Sequence, residues 1–350
     1  PVIRPMWERI QTIKENLESR ARGSLERFGA NTRADLLKLS WLGVTRAISY
    51  RDYIILGMNS GRHFSLPAGY VCFWKRHRVR EFVNCPECEQ FIHNKVLAKR
   101  YFANCGIAQC APIAVIHNGR SYEVEKMTPL GTISDVARRL VGKTFIVKGI
   151  AGRYGTENTV CAFPQPDWKD CEAFILAALG KIEGATALIE ELIVGDLTPY
   201  KMVDALNTLR LTTWINGEGH IVVIGAAQRL AVRPHEVDNW TSGGLAANVD
   251  IPSGLVTGPY YSKHLRPEPD HILPSPFVVP RWDAIKALVL KAHAKLPGLR
   301  SIGWDVANTE HGPLIVEGNH DWDIYIHQRL TMEGFQFDRQ DRMPDERAGA

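Results

Sequence analysis

Cysteine is scarce and scattered, seven residues in a chain of 350. A protein stapled by disulfides carries a denser framework, so the thiols read as reduced and the compartment as cytoplasmic. No run of about 18 apolar residues occurs, which argues against a transmembrane helix. The opening Pro1-Val2-Ile3-Arg4 lacks the apolar core of a secretory signal. Charge imbalance is small: 42 Lys and Arg against 38 Asp and Glu give a formal +4. That is too weak to argue for a nucleic-acid partner, and it is compatible with anionic nucleotides. The one dense basic run, Lys75-Arg76-His77-Arg78-Val79-Arg80, comes without a nucleic-acid module and reads as a solvated or partner-facing patch. Internal repeats, a Walker A loop and a dinucleotide fingerprint are missing too. Nothing specifies an oligomeric state.

What is present is an ordinary globular composition, 45% hydrophobic and 23% charged, in a chain long enough for two or three packed subdomains. Residues 1–90 read as a helical N-terminal region, with apolar spacing at Trp7, Ile10, Ile13 and Leu17 and again from Leu36 to Leu42, followed by an irregular segment over 61–90. From about residue 91 helices and strands alternate. Helices are expected over Asn94 to Asn104, Ile133 to Leu140, Trp168 to Leu179 and Pro280 to Leu296. Strands are expected at Ala111 to Ile116, Lys143 to Lys148 and Ala187 to Val194, with a hairpin of Leu209 to Ile215 and His220 to Ala227 across Asn216-Gly217-Glu218-Gly219. The class is α+β, with subdomains over about 91–195 and 196–330 and a polar tail over 331–350.

Cys85-Pro86-Glu87-Cys88 is a CxxC, and Cys105 and Cys110 follow. Four thiolates suffice for a structural zinc. The second pair is CxxxxC with a helical segment between the two pairs, so ordinary thiols are the better reading.

The densest chemistry lies in Ile302-Gly303-Trp304-Asp305-Val306-Ala307, a strand; Thr309-Glu310-His311-Gly312, a turn; and Pro313-Leu314-Ile315-Val316-Glu317, a returning strand followed by Gly318-Asn319. Glu317 and Asn319 are two apart and share a face, and pairing of the strands would add Asp305. Two carboxylates and an amide oxygen form a hard oxygen set suited to Mg²⁺ beside a substrate phosphate. An ordinary hairpin with polar ends is the plain alternative. Upstream, a strand ending in Lys148 runs into Gly149-Ile150-Ala151-Gly152-Arg153-Tyr154-Gly155. Backbone amides of such a loop can approach phosphates while the lysine supplies a point charge; a simple strand-to-loop turn fits the same residues. Glu190 and Glu191 sit inside an apolar strand, where acids are seldom placed without a use, with surface acids on an edge strand as the plain alternative. Arg210 and Arg229 project from β-like segments and can clamp phosphate or carboxylate, or form structural ion pairs. Asp238-Asn239 with Gly243-Gly244 forms a flexible polar loop able to cover the same site.

The order of these parts resembles the ATP-grasp superfamily. Four segments are similar to its sugar-transfer-associated family: HNKVLAKRYFANCGIA (93–108), NTLRLTT (207–213), VDNWTSGGLAANVDIPSG (237–254) and IGWDVANTEHGPLIVEGN (302–319). The resemblance covers about residues 90–330 and implies two α+β subdomains that grasp ATP and activate a carboxylate. It implies that Lys95 and Lys148, with Gly152 and Gly155, contact the phosphates, and that Glu190, Glu191 and Ile193 line the adenine. Asp196, one position short of the superfamily spacing, is the candidate for the ribose. Asp305, Glu317 and Asn319 would coordinate Mg²⁺ (or Mn²⁺), Arg210 and Arg229 would hold the γ-phosphate, acyl phosphate or substrate carboxylate, and Asn239, Gly243 and Gly244 would form the substrate loop. The expected activity is an ADP-forming carboxylate–amine ligase with small-molecule substrates. A phosphotransferase and a catalytically silent nucleotide-binding module are the alternatives.

Overall fold

The computed structural model describes residues 37, 39–42, 48–56, 71, 83–150, 158–184, 186–193, 195–199, 205–232, 238–263 and 275–331. Most of the helical N-terminal region, the basic run at 75–80, Gly152 and Gly155 of the glycine-rich loop and most of the polar tail lie outside these residues.

Helix α1 (Tyr50–Ile55) precedes two consecutive helices, α2 (Pro86–His93) and α3 (Lys95–Asn104). The segment read as irregular over 61–90 therefore ends in a helix, started by Pro86, whose missing N–H is harmless in a first turn. Asn94 lies before α3, not in it: its side chain accepts from the Val96 and Leu97 amides and caps the helix.

Two sheets follow, each antiparallel throughout. The first runs in the order β3 (Pro129–Thr132), β2 (Arg120–Tyr122), β1 (Pro112–His117), β6 (Thr186–Glu191), β4 (Phe145–Gly149), β5 (Thr159–Cys161). Helices α4 (Ile133–Leu140) and α5 (Trp168–Leu179) cover one face. The period-2 alternation of strands sorts the central residues. Phe145, Val147, Ala187 and Ile189 join the core under α4 and α5, whereas Leu188 meets Val96 of α3 on the opposite side. Lys148 pairs with Leu188, and Ile146 with Glu190. Lys148 and Glu190 thus both face α3.

The second sheet runs β11 (Phe277–Val278), β10 (Leu255–Tyr261), β9 (Leu245–Val249), β8 (Ile221–Leu230), β7 (Leu209–Ile215), β12 (Ser301–Thr309), β13 (Gly312–Asn319). One face buries Leu209, Leu211, Ile302, Trp304 and Val306 against Ile285 and Val289 of helix α6 (Trp282–His293) and Phe102 of α3. The other face packs Ala227 and Ala246 against Tyr53 of α1 and Ile324, Tyr325 and Ile326 of helix α7 (Ile324–Thr331). Helix α3 thus contributes to the core of the second sheet while preceding the first in sequence. Val96 faces one sheet and Phe102 the other, so α3 bridges the two. Among the described residues no helix is long and apolar enough to cross a membrane.

Candidate active site between the two sheets

A cleft lies where α3, the first sheet and strand β13 meet, with Lys95, Lys99, Lys148, Glu190 and Glu317 in its wall. Glu190 is its electrostatic centre. One carboxylate oxygen receives Lys148 Nζ at 2.6 Å and the other receives Lys99 Nζ at 2.8 Å, with all three side chains buried. Burial alone would push the Glu190 carboxyl up, but the charges of Lys148 and Lys99 overcome it and hold the group at about 2. Burial likewise works against the Lys148 ammonium, yet Glu190 more than restores it and the net shift is upward. Lys148 is therefore a fixed, fully charged cation. Lys95 Nζ reaches the Gly149 carbonyl at 3.4 Å, at the point where β4 enters the glycine-rich loop.

Glu190 was expected beside adenine. In this fold it anchors two lysines instead, because β alternation turns it toward α3. Glu191, one position on, is exposed. Ile193 is half-buried beyond the strand end. Asp196 accepts from the Thr198 amide at 2.9 Å and the Asn207 amide at 3.1 Å, so its carboxylate shapes the connection into β7.

A second polar group crosses the sheet that carries Glu317. Strand register places Glu317 opposite Asp305, Asp305 opposite Arg210, and Arg210 opposite Ala227. Gly303 pairs with Asn319 in the next row on that face. Arg210 grips Asp305 with Nε at 2.5 Å and Nη2 at 3.1 Å, and Arg229 Nη1 approaches the same Oδ1 at 3.3 Å. Burial raises the Asp305 pKa, but Arg210 first and Arg229 second outweigh it and leave the carboxyl below its ordinary range. Arg229 is itself bound by Thr208 Oγ1 at 2.6 Å and Asp238 at 3.2 Å. Its pKa, lowered by burial, is raised overall by Asp238 and Asp305. Both arginines, readable from sequence as anion clamps or as ion-pair partners, are paired with protein carboxylates.

The stretch read as a flexible cover has a defined shape. Asn239 caps a short 3₁₀ turn by accepting from the Thr241 amide, Trp240 is buried with Nε1 donating to the Tyr261 carbonyl, and Gly243 takes φ 104°. Gly244 passes so close to the backbone of Asp238 that a Cβ would lie 2.4 Å from its carbonyl oxygen. This tight turn aims Asp238 at Arg229.

Mg²⁺ fits the donor set. Glu317 and Asn319 share a face with Asp305 directly across the ladder. A carboxylate offers about four lone-pair positions. The arginines occupy two at Oδ1 and one at Oδ2 of Asp305, which leaves one on Oδ2. Zinc is not supported at the cysteines: among the described residues no three His, Cys, Asp or Glu side chains gather as a metal site, and Cys85 is exposed while Cys110 is buried.

Lys99 escaped the sequence reading, and Asp238 entered it only as part of the covering loop. The signal for Lys99 was its i+4 spacing from Lys95 and i+3 spacing from Val96, which put it on the buried face of α3. For Asp238 there was only its place beside the turn glycines.

No curated protein matches the chain. Among solved structures it is similar to a biotin carboxylase from Campylobacter jejuni in complex with β,γ-ATP, at 13% identity and TM-score 0.44 over 74% of this chain and 50% of that one. It is also similar to a D-alanyl-alanine synthetase A from Vibrio cholerae, at 12% identity and TM-score 0.45 over 74% and 65%. A carboxyaminoimidazole ribonucleotide synthase from Aspergillus clavatus complexed with ATP gives 16%, TM-score 0.40, 66% and 45%. The matched region thus spans about half to two thirds of these proteins' own length. The family comparison is more direct, since the sequence model for sugar-transfer associated ATP-grasp proteins matches residues 75–338. That range takes in α3, both sheets and every group of the cleft, and the chain belongs to the sugar-transfer associated ATP-grasp family.

Proposed function

We propose that this protein is an ATP- and Mg²⁺-dependent ligase that joins a small-molecule carboxylate to an amine and releases ADP and phosphate. The observation that carries the proposal is the convergence of Lys95, Lys148 and Glu317 on one cleft, with Asp305, Arg210 and Arg229 on the same sheet face as Glu317. Cations for a polyphosphate and a hard oxygen set for Mg²⁺ are what phosphoryl transfer asks of a protein, since positioning and charge do most of the work.

Lys148, held charged by Glu190, and Lys95, the first residue of α3 with its ammonium beside Gly149, bind the ATP phosphates. Arg210, with its Nε–Nη2 edge on Asp305, and Arg229, tied to Thr208, Asp238 and Asp305, add the positive charge that orients the incoming anion. An oxygen of the substrate carboxylate attacks the γ-phosphorus, the bond to the β–γ bridging oxygen breaks, and ADP leaves. The amine then attacks the acyl carbon, phosphate departs, and the ammonium proton passes to solvent. No protein nucleophile is consumed; proximity inside the cleft replaces it. Asp305, Glu317 and Asn319 are the residues that would hold Mg²⁺, whose charge would offset that of the phosphates.

Nucleotide release in the presence of Mg²⁺, resolved as ADP or AMP with pooled carboxylates and pooled amines, tests this. ADP and phosphate formed only with both pools is the expected result. A stable phosphorylated product from one pool would make the protein a phosphotransferase, and AMP with pyrophosphate would mean adenylation.

A further inference from the structure

Lys99 has no role in the reading so far, yet it is among the most deeply placed cations of the cleft, 6% exposed on the inner face of α3. Its ammonium bonds Glu190 at 2.8 Å and the Cys110 carbonyl at 3.2 Å. Its backbone carbonyl accepts from Gln109 Nε2 at 2.8 Å. The charge count shows what this arrangement does. Were Glu190 paired with Lys148 alone, the two would cancel and a phosphate arriving at Lys148 would meet a neutral pair. The second lysine leaves the buried Lys99–Glu190–Lys148 triad with one net positive charge, facing a cleft whose other ionisable walls, Lys95 and Glu317, balance each other.

We propose that Lys99 is a positioning residue that makes this cleft an anion site. By taking half of Glu190 it keeps the Lys148 ammonium fixed in direction but short of neutralised, so that Lys148 can be shared with a nucleotide polyphosphate. This rests on the nucleotide reading above and adds a requirement to it: anion affinity depends on the balance of the triad, with Lys148 itself unchanged. A salt bridge that only secured α3 to the sheet would impose no such dependence.

The test is calorimetric titration of the full chain with ADP and Mg²⁺, comparing the unmodified protein with Lys99→Arg, Lys99→Met and the double variant Lys99→Met with Glu190→Gln. Removing one unit charge a few ångströms from a phosphate in a half-buried site predicts ADP binding about tenfold weaker for Lys99→Met. Lys99→Arg retains the charge and stays within about threefold of the unmodified chain on the same reasoning. The double variant, which restores the net charge by losing one of each sign, regains most of the loss. Thermal unfolding of each variant identifies any that fail to fold, and Lys99→Arg carries the comparison if the double variant does. Tight ADP binding by the unmodified chain with no change in Lys99→Met would overturn the inference while leaving the nucleotide reading intact. So would a Lys99→Met loss that neither the double variant nor Lys99→Arg recovers. Failure of the unmodified chain to bind either ADP or ATP would overturn both.

Discussion

Replacing Glu190 with Gln removes the one anion that two buried lysines share. The folded carboxyl lies at about 2 against an ordinary 4.5, and at about 1.4 kcal/mol per unit the shift corresponds to roughly 3 kcal/mol of stability. That agrees with the usual penalty of about 3–5 kcal/mol for removing one partner of a buried ion pair. The sign is fixed by linkage. A carboxyl whose folded pKa is depressed contributes its stability above its unfolded pKa, and the contribution drains away as pH falls toward the folded value. Urea unfolding followed by tryptophan fluorescence should therefore find Glu190→Gln less stable by roughly 3 kcal/mol near neutral pH, with the gap closing between about pH 4.5 and 2. Adding Lys99→Met should recover part of the loss, since one uncompensated cation disappears. A gap below about 1 kcal/mol at neutral pH, or one that ignores pH, would refute the claim that Glu190 is the anchor of both lysines.

Lys148→Met should abolish ADP release while thermal unfolding stays cooperative, because the methionine keeps the apolar stem and loses the phosphate contact. Asp305→Asn leaves Arg210 and Arg229 facing an amide; turnover should be lost and stability should fall by about 2–4 kcal/mol in urea titration. His327 is held down at about 3 by burial first and by Arg210 second, with Asp323 pulling the other way. Its unfolded form takes up a proton below about pH 6.5 that the folded form refuses, so stability should fall as pH drops from there toward 4.5, and His327→Gln should flatten that slope. Tyr325 donates its hydroxyl to buried Asp52 at 2.5 Å, joining α7 to α1. Tyr325→Phe should cost about 1–3 kcal/mol, read as a lower melting temperature.

Local pattern carried much of the fold. Helices Ile133–Leu140 and Trp168–Leu179 and strand Leu209–Ile215 have the limits that their apolar spacing predicts. The hairpin bearing Asp305 and Glu317 forms with the two residues in direct register. The second hairpin strand, expected over His220 to Ala227, continues to Leu230 against β9 and so takes in Arg229. What stayed hidden depends on contacts between residues far apart in sequence. Nothing near Glu190 announces Lys99, 91 positions upstream, and only the docking of α3 on the first sheet brings them within 2.8 Å. Arg210 and Arg229 could be read as ligand clamps or as ion-pair partners, because periodicity places a side chain on a face without naming its partner. Asp305 supplies that partner across the ladder, and Asp238 supplies it from a turn whose glycines looked like flexibility.

The central claim is activation of a carboxylate by phosphoryl transfer, and hydroxylamine tests it without knowledge of the natural amine. With ATP, Mg²⁺ and pooled carboxylates, the account predicts hydroxamate formed together with ADP and phosphate, and none from Lys148→Met. Hydroxamate accompanied by AMP, or ADP accompanied by a stable phosphorylated product and no hydroxamate, would contradict it.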